Sequence, residues 1–169
     1  MSRWLVISIG AIALIVLSIL LPRSAVRLLY NPTDSAPRGW YLLHPASDVE
    51  IGDYVLVDLP PRVAAFAEER AYLPAHIPLL KAVGATAGQR VCVRSGQVGI
   101  DGILVSTVLT HDGAGRPLGN WEHCRTLYVD EIFLLSPMEP ASFDSRYFGP
   151  VSRSAVRGRA VPLWTWGPS

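Results

Sequence analysis

Short β-strands alternate with turns through LLKAVGATAGQRVCVRSGQVGIDGILV, which spans residues 79–105. Apolar or alternating runs at residues 79–83, 90–94, 97–100 and 103–105 predict four strands, and glycine or aspartate residues punctuate them. Many short strands joined by close turns are typical of a β-barrel or a β-sandwich. This part of the chain therefore predicts a mainly β fold.

The pattern continues on both sides of this stretch. Residues 40–43 and 54–59 predict two strands before it, and residues 132–135 and 155–166 predict extended segments after it. Residues 62–72, RVAAFAEERAY, predict a helix, because one proline precedes the segment and another ends it. We expect a mainly β domain, a barrel or a sandwich, with one short helix.

An uncharged, apolar run of residues, WLVISIGAIALIVLSILL at 4–21, predicts a single transmembrane helix. Such a helix would be about 27 Å long, enough to cross the hydrocarbon core of a bilayer. A cleavable signal peptide is the alternative, but the run ends in LLPRSAV, a poor match to a small-x-small cleavage site. We therefore predict a membrane anchor at residues 1–22, a loop at residues 23–38 and a β-rich domain at residues 39–169.

The overall charge is nearly balanced, with 15 Lys and Arg, 14 Asp and Glu, and a net charge of +1. A nucleic-acid-binding protein would normally carry a basic surface, and a disordered tail would carry a run of like charge, so the composition argues against both classes. The two cysteines are too few for a four-ligand zinc site, and the four histidines are scattered. We predict no metal, no cofactor and no nucleic-acid partner.

Lysine occurs only once, at Lys81, against 14 arginines. An arginine-biased coding background explains the arginines but not the lysine that remains. An arginine side chain cannot lose its proton near neutral pH, whereas a desolvated lysine can. Lys81 is therefore a candidate for chemistry that needs a neutral amine.

Four patterns with chemically useful residues follow the apolar run in order. They are NPTDSAPRGWY at residues 31–41, GDYVLV at 52–57, LLKAVGATAGQRV at 79–91 and SFDSRYFGPV at 142–151. The first places a serine between two prolines shortly after the predicted anchor, and the third contains the only lysine. The fourth is a polar cluster that leads into a Gly-Pro turn.

In this order, the four patterns resemble the signal-peptidase family of membrane-anchored serine peptidases with a Ser/Lys dyad. The S-x-P-x-G-x-Y form of the first pattern, the helix between the second and third, and GRPLGNW at residues 115–121 look closest to its TraF-like subgroup. These are conjugative-transfer peptidases that mature pilin precursors. The resemblance covers residues 1–164. It departs from general signal peptidases at Ala36, where they usually have Met, and at residues 87–89, where they usually have P-G-D.

The resemblance makes Ser35 the nucleophile and Lys81 its general base. A serine hydroxyl is a weak nucleophile until a base takes its proton, and a lysine amine is a base only when it is neutral. Apolar neighbours such as Leu80 and Val83 would lower the pKa of Lys81 by desolvation. Taken alone, Ser35 would be a turn residue in a loop bracketed by prolines.

Supporting roles also come from the resemblance. Thr33 matches a hydroxyl donor to the oxyanion, beside the backbone N–H of Ser35, or it only supports the turn. Ser142 matches a hydroxyl that orients the lysine amine. Asp144 and Arg146 match an acidic–basic pair, and because TraF-like enzymes need the aspartate, we count Asp144 with the catalytic residues. The alternative is a structural salt bridge.

Cys92 and Cys124 form one disulfide if the domain lies outside the cytoplasm, or else they are two buried thiols. Neither has the histidine partner that a nucleophilic cysteine would need.

The resemblance predicts a serine endopeptidase that removes the leader from a pilin-like precursor of a conjugative transfer system. We expect it in the bacterial inner membrane, anchored in the lipid bilayer through residues 4–21, with the catalytic domain on the periplasmic side and a membrane-inserted preprotein as its partner. Ring closure of the pilin is also open to an acyl-enzyme, because an amine can replace water. The alternatives are a general signal peptidase for secreted preproteins and a non-catalytic anchored assembly subunit of a transfer apparatus.

Overall fold

The computed structural model of the chain describes residues 27–136 and 139–166. In chain order the elements are β1 (Arg27–Asn31), β2 (Arg38–His44), β3 (Tyr54–Val57), α1 (Pro61–Glu69), β4 (Leu79–Ala85), β5 (Arg90–Arg94), β6 (Gln97–Ile100), β7 (Ile103–Thr107), β8 (Cys124–Thr126), β9 (Glu131–Leu134), α2 (Ser145–Phe148), β10 (Val151–Ser152), a 3₁₀ turn (Arg153–Ala155) and β11 (Val156–Trp166). No helix within the described ranges is long and apolar enough to cross a membrane. The predicted anchor lies outside those ranges.

The strands form two antiparallel sheets. The larger sheet has seven strands in the order β1-β2-β11-β3-β4-β9-β10, and the smaller has four in the order β7-β6-β5-β8. The mainly β prediction is confirmed. The barrel alternative is wrong, because the larger sheet runs from an edge at β1 to an edge at β10 and does not close on itself. The final strand, β11, lies between β2 and β3, and its register with β2 shifts just after Pro162, which has no N–H to donate.

Three apolar clusters hold the sheets together. The first lies on β3, β4 and β9, and the second joins the end of the larger sheet to the smaller one through residues such as Val91, Val98 and Phe133. The third contains Tyr41, Leu56 and residues near them on β2, β3, β4 and β11. Each fully buried aliphatic or aromatic side chain contributes about 1.5–3 kcal/mol. Strand β4, which carries Lys81, contributes residues to all three clusters.

Helix α1 confirms the predicted helix but ends three residues earlier, at Glu69. Ala71 has φ +56°, the left-handed conformation that commonly ends a helix. The N–H of Ala71 donates to the carbonyl of Glu68, and the N–H of Tyr72 donates to that of Ala67, which are the two bonds of a Schellman motif. Tyr72 is therefore directed out of the helix.

Strand β1 forms within the segment expected as a loop, residues 23–38, and pairs with β2 along its length. The irregular part is the short connection between these two strands, where the two prolines lie. Exposed aromatic and apolar side chains gather on β1, β2 and β11; we call this set the aromatic edge: Leu28, Tyr30, Trp40, Leu163, Trp164 and Trp166. The rings of Tyr30 and Trp40 lie 5.0 Å apart, and those of Tyr30 and Trp166 lie 6.2 Å apart.

Candidate active site

Lys81 lies within β4, in the middle of the larger sheet. Alternation along the strand places it on the same face as Leu79 and Val83, both of which belong to the first core cluster. Only 2% of Lys81 is exposed. Burial lowers its pKa from 10.5 to about 8, with a nearby carboxylate opposing the effect. Of the apolar neighbours named from the sequence, Val83 shares the face of Lys81, whereas Leu80 lies on the opposite face and belongs to the third cluster.

The amine of Lys81 donates a hydrogen bond to the hydroxyl of Ser142, 61 residues further along the chain. Ser142 is itself buried, in the loop that precedes α2. The bond fixes the direction of an otherwise flexible lysine side chain. The structure therefore brings together two of the residues that the sequence singled out.

The connection between β1 and β2 is held by Asn31, a buried residue at the end of β1. Its side-chain amide donates to the carbonyls of Thr33, Ala36 and Pro37, at 3.0, 3.0 and 3.2 Å. Its side-chain oxygen accepts from the N–H and the hydroxyl of Thr33. The side chain of Asn31 thus makes hydrogen bonds with three residues of the loop that carries Ser35.

The hydroxyl of Ser35 lies 3.1 Å from that of Thr33. Thr33 has a single hydroxyl proton, and it donates that proton to the side-chain oxygen of Asn31 at 2.8 Å. Ser35 must therefore be the donor in its bond with Thr33. For Thr33 to donate to an oxyanion, as the resemblance implies, its hydroxyl has to turn away from Asn31.

Ser136, just after β9, links the nucleophile loop to the fourth pattern. Its hydroxyl donates to the carbonyl of Ser35 at 2.8 Å, and its N–H donates to a carboxylate oxygen of Asp144 at 3.0 Å. Ser136 is buried. It thereby joins two residues that are far apart in the sequence and that we predicted to act together.

Asp144 and Arg146 form an ion pair with no exposed surface. The carboxylate accepts both Nε and Nη2 of the guanidinium at 2.8 and 2.9 Å, and it caps α2 by accepting from the N–H of Arg146. The guanidinium also donates to the carbonyls of Glu139, Pro140 and Ser142. A buried ion pair persists only when further hydrogen bonds satisfy it, as here. The pair holds the loop that positions Ser142.

Helix α2 ends at Phe148 and is capped by Gly149, where the backbone has φ +83°. A Cβ at this position would lie 2.7 Å from the ring of Trp121, so only glycine fits. The N–H of Trp121 donates to the carbonyl of Arg146. The GRPLGNW segment, which ends at Trp121, is thus attached to the fourth pattern.

Ser35, Lys81 and Ser142 line one cavity of about 560 Å³. Among the described residues no hydrogen bond joins Ser35 directly to Lys81. Most of the remaining lining is apolar. It comes from β1 and the loop after it, from β3 and β4, from the segment between α1 and β4, from the loop at residues 112–118, and from residues 141–147. A buried amine facing an exposed cleft beside a hydroxyl is an arrangement suited to acyl transfer.

Cys92 and Cys124 face each other across the β5–β8 pairing, with Cα atoms 3.9 Å apart, and the structure joins their sulfurs. They lie on the smaller sheet and do not line the cavity of Ser35. Within the described ranges no group of three His, Cys, Asp or Glu residues is placed to hold a metal.

Two residues that hold the site were not singled out from the sequence. Asn31 was part of a pattern, but its contacts depend on the curl of the following loop. Ser136 ends an apolar strand, and nothing local indicates that Ser35 lies opposite it. The partner of Ser136 is set by the tertiary fold, so no short-range signal identifies it. The partners of Asn31 lie within six residues, and an asparagine that opens a turn is the local signal that could have identified it.

Comparison with known proteins gives a consistent family. The family model described as signal peptidase, peptidase S26, matches residues 1–166. A plasmid transfer protein TraF of Escherichia coli is 37% identical over 147 residues, which cover 80% of this chain and 82% of the relative. A probable conjugal transfer protein TraF of Sinorhizobium fredii (strain NBRC 101917 / NGR234) is 38% identical over 149 residues, covering 82% and 77%. A crystal structure of a signal peptidase I from Enterococcus faecalis V583 covers 65% of this chain and 94% of its own, at 21% identity and a TM-score of 0.40.

Proposed function

The chain belongs to the signal peptidase family, peptidase S26, and on that premise we propose that it is a serine endopeptidase with Ser35 as nucleophile and Lys81 as general base. The observation that carries the proposal is the burial of Lys81. Its amine is held by Ser142, its pKa is lowered to about 8, and it lines the same cavity as Ser35.

The reaction begins when the neutral amine of Lys81 takes the proton of the Ser35 hydroxyl. The oxygen attacks the scissile carbonyl, and the tetrahedral intermediate collapses as Lys81 gives the proton to the departing amine. Water, deprotonated by the same amine, then hydrolyses the acyl-enzyme and regenerates Ser35. Ser142 keeps the Lys81 amine directed throughout these proton transfers.

Charge on the oxyanion needs donors that are in place before it forms. The N–H of Ser35 has no hydrogen-bond partner among the described residues, so it is free to serve. The hydroxyl of Thr33 becomes the second donor once it turns from Asn31 towards the cavity. The hydrogen bond from Ser136 to the carbonyl of Ser35 holds the nucleophile's backbone while this happens.

The substrate that we propose is a membrane-inserted, pilin-like precursor of a conjugative transfer system. The relatives are a plasmid transfer protein and a conjugal transfer protein by name, which supports this class. The predicted anchor at residues 4–21 would hold the enzyme in the bacterial inner membrane, with its catalytic domain on the periplasmic side. The aromatic edge suits this placement, because Trp and Tyr favour the bilayer interface. Ring closure would need an amine to replace water at the acyl-enzyme.

The test is to incubate membranes that carry the full chain with a candidate pilin precursor and to measure the intact mass of the product. Ser35→Ala and Lys81→Met are the inactive variants, and Asp58→Asn, which alters an exposed ion pair with Arg157, is the control. Loss of the leader mass with wild type and Asp58→Asn alone supports the proposal. A further loss of one water indicates ring closure.

Two results would point to the alternatives. Cleavage of general secretory preproteins in preference to the pilin precursor indicates a general signal peptidase. Full conjugative function in cells that carry Ser35→Ala or Lys81→Met indicates a non-catalytic assembly subunit, because such a subunit needs neither residue.

A further inference from the structure

One nearly buried carboxylate, that of Asp112, ties the end of α1 to the loop that precedes β8. Its side chain is 5% exposed. One oxygen accepts from the hydroxyl of Tyr72 at 2.5 Å, from Nε of Arg116 at 2.7 Å and from Nη1 of Arg70 at 3.2 Å. The other accepts the backbone N–H groups of Ala114 and Arg116. Both oxygens are therefore saturated from within the protein.

The protonation states of Asp112 and Tyr72 favour the hydrogen bond between them. Burial alone would raise the pKa of Asp112, but hydrogen bonds from Tyr72 and Arg116 hold it below its usual value, so the carboxylate stays charged. Burial raises the pKa of Tyr72, and the bond to Asp112 adds to this, so its hydroxyl keeps the proton that it donates.

Two more hydrogen bonds join the same parts of the chain. Nη2 of Arg116 donates to the carbonyl of Arg70 at 2.9 Å, and Nη2 of Arg70 donates to the carbonyl of Pro117 at 3.1 Å. Arg116 and Pro117 belong to the GRPLGNW segment, for which the proposed mechanism has no use. The segment's first half is thus bound to the end of α1, and its last residue, Trp121, is bound to the fourth pattern.

The linked residues form one wall of the cavity that contains Ser35 and Lys81. We call it the cleft wall; it consists of Tyr72, Leu73, Pro74, Ile77, Pro78, Asp112, Gly113 and Leu118. It has no helix or strand of its own, because it lies between α1 and β4 and in the loop before β8. The ring of Phe143, next to Ser142, lies 5.3 Å from that of Tyr72. The position of Tyr72 therefore limits the room beside the reactive groups.

An ion pair elsewhere in the chain provides a comparison. Glu131 accepts both Nη atoms of Arg125 and the N–H of Tyr128, at 2.6 to 2.9 Å, much as Asp112 accepts its donors. None of these three residues lines the cavity. A purely structural role for Asp112 predicts that both carboxylates behave alike when they are neutralised.

We propose that Asp112 is a positioning residue that fixes the cleft wall and thereby limits the size of the peptide side chains accepted beside the scissile bond. This inference rests on the proposed peptidase function. A saturated carboxylate at the junction of two irregular segments gives the wall a rigidity that neither segment has alone. A rigid apolar wall discriminates by size, because each extra methylene has to be accommodated or rejected.

The test compares Asp112→Asn with Glu131→Gln in the full chain in detergent, with Tyr72→Phe as a milder variant that removes a single bond. Amide hydrogen exchange is measured over residues 72–80. Cleavage is measured on the pilin precursor in two forms that carry Ala or Leu immediately before the cleavage site. Amide hydrogen exchange measures the rigidity of the cleft wall whether or not the protein cleaves the precursor.

With Asp112→Asn we expect faster exchange in residues 72–80 and a KM for the Ala form that rises about tenfold while kcat changes little. The preference for Ala over Leu falls about tenfold. Tyr72→Phe shifts exchange, KM and this preference in the same directions, and Glu131→Gln shifts none of them.

Unchanged exchange in Asp112→Asn and Tyr72→Phe overturns the inference even if the enzyme is active. Faster exchange with unchanged KM and preference overturns the role in selectivity. A wild-type chain that cleaves neither form refutes the peptidase proposal, and the selectivity role with it, while exchange still decides whether Asp112 holds the wall.

Discussion

The amine of Lys81 and the hydroxyl of Ser142 share a hydrogen bond inside the protein, and the side chains that surround the amine set its pKa to about 8. Only the neutral amine can take the proton of Ser35. We therefore expect kcat/KM to rise with pH through an apparent pKa of about 8 and then to level off. The measurement is a pH–rate profile for precursor cleavage between pH 6 and 10.

Replacing Ser142 with Ala provides the first check on this relationship. The lysine amine loses its fixed partner, and we expect kcat to fall by about a hundredfold, because a misdirected base transfers protons poorly. The buried pair of Asp144 and Arg146 remains, so the domain should stay folded. A profile with no rise near pH 8 in the wild type would contradict Lys81 as the general base. Full activity in Ser142→Ala would contradict the role of Ser142 in directing the amine.

Asp144→Asn should shift the pH–rate profile towards lower pH. The charge of Asp144 raises the pKa of Lys81, and the charge of Arg146 lowers it. With the carboxylate neutralised, burial and Arg146 still lower the pKa of Lys81, and only the smaller effect of Glu139 raises it, so the apparent value falls. The variant also leaves a buried guanidinium without its counter-ion, which costs about 3–5 kcal/mol of stability. The profile should therefore be recorded at low temperature, and a shift to higher pH would be evidence against this electrostatic account.

Lys81→Met should stabilise the domain at neutral pH. Because burial depresses the folded-state pKa of Lys81 from 10.5 to about 8, the unfolded chain binds more protons between these values, and wild-type stability rises with pH across that window. The contribution is about 3 kcal/mol in total. Below pH 8 the wild type bears the whole cost of a buried charge, which Met removes.

The measurement is urea unfolding of both proteins in detergent at pH 7 and at pH 10. Tyrosines with raised pKa values, such as Tyr41 at about 12, destabilise both proteins alike at high pH and cancel in the difference. We expect the advantage of Lys81→Met to be largest at pH 7 and to shrink by pH 10. An advantage that does not depend on pH would mean that Lys81 titrates alike in the folded and the unfolded chain, so that burial does not lower its pKa.

The aromatic edge should contact lipid when the full chain is embedded in a bilayer. Trp164, which is 72% exposed, and Trp166 stand on the final strand beside Tyr30. Quenching of tryptophan fluorescence by brominated lipids should therefore fall when Trp164 is replaced by Phe. Trp121→Phe is the control, because that ring packs against Phe133 within the domain. Equal quenching in wild type and Trp164→Phe would place the edge away from the bilayer.

Several parts of the fold could be predicted from the sequence, and they depend on local signals. The strand of Lys81 and the helix after Pro61 follow from apolar periodicity and from proline placement. The order of strands could not be predicted, because nothing local indicates that β11 inserts between β2 and β3 or that the larger sheet stays open. The residues that hold the site show the same limit. Ser136 meets Ser35 across 101 residues, and the contact exists only once the sheet has formed.

Ser136→Ala should lower the rate of chemistry without weakening the binding of substrate. The change removes the hydrogen bond to the carbonyl of Ser35 but leaves the backbone N–H of Ser136 bonded to Asp144. The loop that carries Ser35 then loses its hydrogen bond from Ser136 and keeps those from Asn31. We expect kcat to fall by about tenfold to a hundredfold, with KM and the apparent pKa near 8 unchanged. Ser136→Thr, which keeps a hydroxyl at this position, should retain much of the wild-type kcat.

Ser145→Ala is the matched control for Ser136→Ala. Its hydroxyl is equally buried and accepts the N–H of Leu134 at 2.9 Å, but it contacts neither Ser35 nor Lys81. Its loss leaves a buried donor unsatisfied and costs about 1–3 kcal/mol of stability. If kcat depends on general stability alone, both variants should lose it equally. If Ser136 positions the nucleophile, kcat falls only in Ser136→Ala, even where Ser145→Ala is the less stable protein.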